Sequence, residues 1–257
     1  MSPLRVEISD LIAVVTMDNP PVNASESDWE IQETFDSFGD RDDVRVAILT
    51  GAGTRGFCAG VDVKKRAQAQ AQEQPPGAYQ AGQRRGRENF NSLIDCAVPV
   101  IGAINGHALG AGLALAASCD YLIASENATF GLPEIDVGLL GGARHFMRLF
   151  SQGTTRRANF TAQRIGAEEA FRLGAVVKVV PADELMDAAF EDARMIAKKM
   201  PIGIKMAKAN LNVIESMDLK NGYRFEQTQT QILLETEDSL EAKRAFAEKR
   251  PPVFKGR

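Results

Sequence analysis

Apolar residues recur along this chain in two alternating rhythms. The stretch 4–17 holds two short β-rich runs split at Ser9-Asp10, and Asn19-Pro20-Pro21 then halts the pattern, which predicts a hairpin entering a loop. Residues 27–39 place Trp29, Ile31, Phe35 and Phe38 near helical spacing, with Ser27 or Asp28 as N-cap, and residues 44–50 read as a buried strand. A glycine-rich turn at 51–60 leads into residues 61–65, which read as a helix start. From Val98 the pattern is a strand over 99–104, a turn at Asn105-Gly106, and a Gly/Ala run from Ala108 that predicts a buried helix to about Ser118. Strands over 120–124 and at Thr129-Phe130 follow, then a helix over 167–173 and a strand over 175–180. Beyond Asp183 the pattern predicts helices at 185–200, 204–214, 219–235 and 240–249, the last capped by Asp238 or Ser239. Repeated strand, turn and small-residue helix units imply an α/β domain whose turns line one site. The terminal helical block is ordinary packing or an oligomer interface.

One segment breaks these rhythms. Between Arg66 and Asn89 the chain turns to Gln, Ala, Gly, Pro and Arg, interrupted by Pro75-Pro76. Its Gln/Ala half has helical propensity but no apolar face to bury, so the segment reads as a mobile lid. Composition narrows the function. Of 257 residues 44% are hydrophobic and 25% charged, as in a soluble globular protein, and 30 basic against 34 acidic residues argue against nucleic acid or an anionic membrane as partner. No apolar stretch approaches the ~18 residues of a membrane span, and residues 1–20 lack the pattern of an export signal. Three widely spaced cysteines, Cys58, Cys96 and Cys119, read as reduced thiols. A cytoplasmic location is therefore expected. With only His107 and His145 available, no metal site is expected.

Two glycine/alanine turns carry the candidate chemistry. Phe57-Cys58-Ala59-Gly60-Val61-Asp62 and Asn105-Gly106-His107-Ala108-Leu109-Gly110-Ala111-Gly112 each let backbone approach a ligand and each open a helix. Bare N–H groups at two helix starts make an oxyanion hole, although small residues there also serve tight packing alone.

These turns, with Asn19-Pro20-Pro21-Val22-Asn23-Ala24, the run from Ile104 through Phe130-Gly131-Leu132-Pro133-Glu134 to Gly138, and the ending Ala247–Phe254, resemble the crotonase (enoyl-CoA hydratase/isomerase) superfamily. The resemblance covers nearly the whole chain. It implies an α/β crotonase-like spiral of repeated ββα units, with residues 1–195 as core and 196–257 as a helical region forming a homotrimer or homohexamer. It also implies an acyl-CoA thioester substrate, with CoA carried by the substrate and no separate cofactor. The family's two oxyanion amides fall on Ala59 and Ala111, its acid/base glutamate on Glu134, and its CoA-contacting loop on Ala59, Gly60, Val61 and Asp62. A second glutamate of hydratases falls on Ala114, which carries no carboxylate.

That departure opens several activities. Hydration with one glutamate and a helper, a proton shuttle as in enoyl-CoA isomerases, and hydrolytic ring opening of a cyclic β-keto acyl-CoA all fit. A noncatalytic RNA-binding member is the alternative of another class, opposed by Glu134 and by the acidic net charge. Past Glu134 the chain reads Leu140-Gly141-Gly142-Ala143-Arg144-His145, so His145 is a candidate acid/base partner and Arg144 a candidate contact for an acidic acyl substituent. Asp136, Cys58 and His107 fit structural roles better. Arg84, Arg85 and Arg87 are solvated charge or contacts for CoA phosphates.

Overall fold

The computed structural model describes residues 3–25, 29–62, 65, 68 and 75–257. The N-terminal alternation folds as a hairpin: β1 (Leu4–Ser9) pairs antiparallel with β2 (Ile12–Met17), and the two turn residues, Asp10 and Leu11, both take positive φ. A two-residue hairpin turn of this kind matches the strand twist. Strands β3 (Val46–Gly51), β5 (Val100–Ile104), β7 (Tyr121–Ser125) and β10 (Lys178–Val180) add in parallel, giving a six-stranded sheet in the order β1-β2-β3-β5-β7-β10. A second sheet is built from β4 (Gly56–Cys58), β6 (His107–Leu109), β8 (Thr129–Gly131) and β9 (Ile165–Gly166), in that order. The chain therefore climbs in repeats, each giving one strand to the large sheet, one to the small sheet, then helix.

Inner strands of the large sheet are apolar on both faces because both are covered. Val46, Ile48, Ile101, Ala103 and Ile123 pack with Leu185, Ala189 and Ala193 of a helix over Leu185–Ala197, while Ala47, Leu49, Val100, Ile104 and Leu122 face the larger core between the sheets. That period-two division, with both faces covered, is why residues 46–49 are apolar without a break.

Helix α1 (Ile31–Ser37) starts later than its pattern suggested. Its N-cap is Glu30, with no side-chain cap bond, and Ser27 and Asp28 lie outside the described residues. The Gly/Ala run from Ala108 also splits: residues 107–109 are β6, and α3 (Ala111–Ser118) begins only after Gly110.

The largest revision concerns the segment expected to be a lid. From Ala78 it is part of α2 (Ala78–Asp95), an 18-residue helix. Its Gln, Ala, Arg and Glu residues are good helix formers, and the face it buries, Asn89, Ser92 and Leu93, begins only at its end. Packing of that face against α1 and α3 decides the conformation. The Gln/Ala half preceding it falls largely on residues outside the described set, as do Val63 and Lys64 of the expected helix start at 61–65.

Helices α4 (Ala143–Leu149), α5 (Gln152–Thr161) and α6 (Ala167–Arg172) complete the core, and α7 (Leu185–Ala197) covers the outer sheet face. Then α8 (Pro201–Ile214), α9 (Leu219–Leu234) and α10 (Glu237–Ala247) form the terminal block. The cap of α10 is Thr236, whose hydroxyl accepts from Ser239 N. Asp238 instead is buried and accepts from Lys255 N and Gly256 N, holding the final residues back against the helix.

The block grips the core through α8. Lys208 is buried, donates to Leu93 O (2.8 Å) and Val98 O (3.1 Å), and pairs with Asp120 (2.9 Å). Asn212 donates to Ile94 O at 2.7 Å. Leu93 and Ile94 lie in the last turn of α2, where helical carbonyls lack partners, so α8 caps α2 from outside. Among the described residues no helix is long and apolar enough to cross a membrane.

Candidate active site

A cleft of about 580 Å³ opens between α2, the start of α3 and the loop before α4. Its floor is main chain. Gly110 takes φ +56, beyond the comfort of a residue with a side chain, and this reversal turns β6 into α3. Ala111 is the first residue of α3, so its N–H has no intrahelical acceptor, and it lines the cleft. Gly60, at φ +85, lies flat against this turn: a methyl placed on it would stand 2.8 Å from Leu109 O and 3.3 Å from Ala111 N. The two turns paired by the sequence are thus in contact.

The amide that the first turn offers is not that of Ala59. Its N–H donates to Val22 O at 3.0 Å, and Ser25 N donates to Gly60 O at 2.7 Å, so the segment around Val22–Ser25 runs beside residues 59–61 and takes up that donor. Asn23 holds this segment in place, its side chain donating to Gly56 O (2.7 Å) and Ala52 O (3.0 Å). Val61, two residues on, lines the cleft, and its N–H has no acceptor among the described residues. Gly60, at φ +85, interrupts the extended chain between them, so the Val61 amide does not follow the Ala59 amide toward Val22. Asp62 accepts from Lys65 N at 3.1 Å, the geometry of a cap.

Glu134 comes from the 3-10 turn Pro133–Val137, which Leu139 N closes by donating to Glu134 O at 2.9 Å. Its carboxylate lies over the floor, since a methyl on Gly110 would stand 2.5 Å from Glu134 Oε1. Oε2 is buried without a hydrogen-bond partner among the described residues. Burial accordingly pushes the Glu134 carboxyl above the ordinary range, the shift expected of an acid/base group. Ala114 also lines the cleft and leaves only a methyl on the α3 wall.

His145, third residue of α4, lines the cleft with its ring edge-on to Phe90 of α2, centroids 5.1 Å apart. Burial, with the charges of Arg144 and Arg148, lowers its pKa and favours neutral imidazole near pH 7. The structure therefore brings Glu134, Ala111, Val61 and His145 to one cleft. Arg144 and Asp136 are exposed and do not line it. Arg85 and Arg87 line the cleft and Arg84 does not. His107 bonds Thr129 Oγ1 through Nδ1 at 2.9 Å, and burial pushes the Cys58 thiol up to about 12, so neither is a reactive group. Among the described residues no cluster suits a metal ion.

Sequence reasoning did not find Val61 as a donor, nor the α2 face of Tyr79, Gln83, Asn89 and Phe90 as a wall. A helical reading extended backward from Phe90 and Leu93 is the signal that finds the wall.

Comparison with known proteins agrees with this arrangement. The family model described as Enoyl-CoA hydratase/isomerase matches residues 7–257. Carnitinyl-CoA dehydratases of Salmonella enteritidis and Salmonella gallinarum are each 36% identical over 255 residues, covering 96% of this chain and 95% of theirs. The crystal structure of an enoyl-CoA hydratase from Bacillus anthracis aligns with a TM-score of 0.91 at 32% identity, covering 100% of both chains. An enoyl-CoA hydratase from Mycobacterium smegmatis aligns with a TM-score of 0.90 at 26% identity, covering 99% of each. Fold, sequence and floor agree, and the chain is an enzyme of the enoyl-CoA hydratase/isomerase family, within the crotonase superfamily.

Proposed function

We propose that this enzyme adds water to, or removes it from, an acyl-CoA thioester, with Glu134 as general acid/base and the Val61 and Ala111 amides as the oxyanion hole. The observation that carries the reading is the half-buried Glu134 carboxylate, its Oε2 buried without a partner, poised over a floor with two N–H groups that have no acceptor among the described residues. Two amide donors on the thioester oxygen stabilise the enolate formed when the α-carbon loses its proton. In dehydration Glu134 takes that proton, the electron pair of the C–H bond enters the enolate, and collapse of the enolate expels the β-oxygen as water once it is protonated. Hydration runs the same steps backward. His145, neutral and beside Phe90, is the helper that the missing carboxylate at Ala114 calls for. Ala59, Gly60, Val61 and Asp62 remain the proposed CoA-contacting loop, with the Ala59 amide assigned to the fold.

The name of the dehydratase relatives supports water elimination. Isomerisation is the second reading, favoured by the single carboxylate. For assembly we propose a homotrimer or homohexamer built through residues 196–257, supported by exposed Leu211, Leu219, Tyr223 and Phe246 on the terminal helices.

The test is the ultraviolet absorbance of crotonoyl-CoA mixed with wild type and with Glu134→Gln. The reading expects loss of the conjugated absorbance in wild type and at least a hundredfold slower loss in the variant. No loss in wild type removes hydration and leaves isomerisation.

A further inference from the structure

Helices α3 and α4 lie side by side and run the same way out of the cleft. At their starts a methyl placed on Gly142 would stand 3.8 Å from Gly110 O, and two turns on Arg148 Nη1 donates to Ala117 O at 3.0 Å. Between these contacts, Ala114 of α3 and His145 of α4 both line the cleft. Parallel packing puts the negative ends of the two helices together, and Arg148, in the last turn of α4, is the cation at both. It takes a carbonyl that α3 itself leaves open at its end, while Leu115 O accepts from the Cys119 thiol and Ala116 O from Cys119 N. The Arg148 side chain is only 20% exposed, and its Nε, 3.5 Å from Glu215 Oε2, ties the pair to the end of α8.

We propose that Arg148 is a positioning residue: its bond to Ala117 O holds α4 in register with α3 and thereby sets His145 beside Ala114, where no carboxylate stands. The inference rests on the hydration reading above, in which His145 is the helper. Spacing carries it. His145 and Arg148 are three apart on α4, Ala114 and Ala117 three apart on α3, so a contact fixed at one level fixes the level a turn away. A register one residue off would carry His145 about 1.5 Å along the axis and roughly 100° around it, out of the cleft. The same cation favours the neutral imidazole: burial first, then Arg144 and Arg148, lower the His145 pKa. Among the described residues, the titratable groups that share the cleft with His145 are Glu134 of the 3-10 turn and Tyr79, Arg85 and Arg87 of α2. Helix α3 contributes none.

The test is a double-mutant cycle of Arg148→Met and His145→Ala, read as hydration of crotonoyl-CoA, with α-proton exchange on butanoyl-CoA and the NMR titration of the His145 ring measured alongside. Arg148→Met is expected to slow hydration about tenfold, as His145→Ala does, and to add less than threefold when the two are combined, because both remove one contribution. Exchange by Arg148→Met is expected to stay within threefold of wild type, and its His145 to titrate at higher pH, since a repelling cation is gone. Arg148→Lys, which keeps the charge and a donor, is expected to hydrate within threefold of wild type. Should Arg148→Met fail to fold, Arg148→Gln, which removes the charge and shortens the reach to Ala117 O, takes its place in the same cycle. Losses that multiply in the double variant, an equal fall in exchange, or a His145 titration that does not move would each overturn the proposal. The two levels remain separable. Wild type that does not hydrate crotonoyl-CoA overturns the reading beneath the proposal; wild type that does, with losses that multiply, overturns only the role of Arg148.

Discussion

The floor of the cleft and its wall are built from different parts of the chain. At the floor, Val61 and Ala111 present main-chain N–H groups, and the residues around them are small because the two turns lie against each other. At the wall, Asn89, Phe90 and His145 present side chains mounted on α2 and α4. A main-chain donor survives most substitutions, so under the proposed function the floor is assigned to the thioester carbonyl. The wall is free to vary, and under the same proposal the choice of acyl group is assigned to it.

Glu134 stands where floor and wall meet, and its replacement is the largest expected effect. Beyond the loss of activity, the direction of its pKa shift makes two predictions. As a base it must be ionised, so kcat/KM is expected to fall on the acid side at a pH above the ordinary carboxylate value of about 4.3. For stability, the folded pKa lies above the unfolded one, so the contribution of Glu134 is fully present below the unfolded pKa and is lost as pH rises through the folded pKa. Glu134→Gln is therefore expected to melt higher than wild type at pH 7, with the gain closing in acid. Thermal melts across pH check this; a variant that melts lower at every pH breaks the claim that the carboxylate is strained by burial.

His145→Ala sharpens the comparison by separating wall from floor. Hydration of crotonoyl-CoA is expected to fall about tenfold, short of a full acid/base contribution, while α-proton exchange on butanoyl-CoA, which uses only Glu134 and the floor, stays within twofold. Equal loss of both assigns His145 to structure.

Lys208→Met reaches the wall from behind. It removes the cation that caps Leu93 O at the end of α2 and leaves Asp120 without its ion-pair partner, holding only the Val100 N–H. The cost is about 3 kcal/mol by analogy with broken buried pairs, or a fall of roughly 6–12 °C in Tm for a chain of this size. KM is expected to rise more than kcat falls, because the wall shifts and the floor does not.

The same division explains what was legible in the sequence. That Gly110-Ala111 and Glu134 meet at one cleft was legible as a placement, because tight turns and buried strands impose local rules that residues display directly. That the Ala59 N–H is engaged, which moves the proposed donor to Val61, depended on which amide Val22 O captures, a long-range contact with no local trace. The wall was not legible. The segment 66–89 has no apolar stripe, and the packing that makes α2 a helix begins at Asn89, Ser92 and Leu93 and is completed by α1, α3 and Lys208. The cap of α10 was missed for a related reason: Asp238 serves the returning tail, leaving Thr236 to cap.

The claim at the centre is that main-chain N–H groups of the floor stabilise the enolate, and Ala111 allows that to be tested by one substitution. It is the first residue of α3, where proline is tolerated because its missing N–H has no helical partner. Ala111→Pro thus removes the proposed donor while keeping the helix. The measurement is the rate of α-deuterium incorporation into butanoyl-CoA by wild type and Ala111→Pro, with Tm recorded for both. The account predicts a rate lower by about 10²–10³ at nearly unchanged Tm. A well-folded Ala111→Pro enzyme that exchanges within threefold of wild type would contradict it.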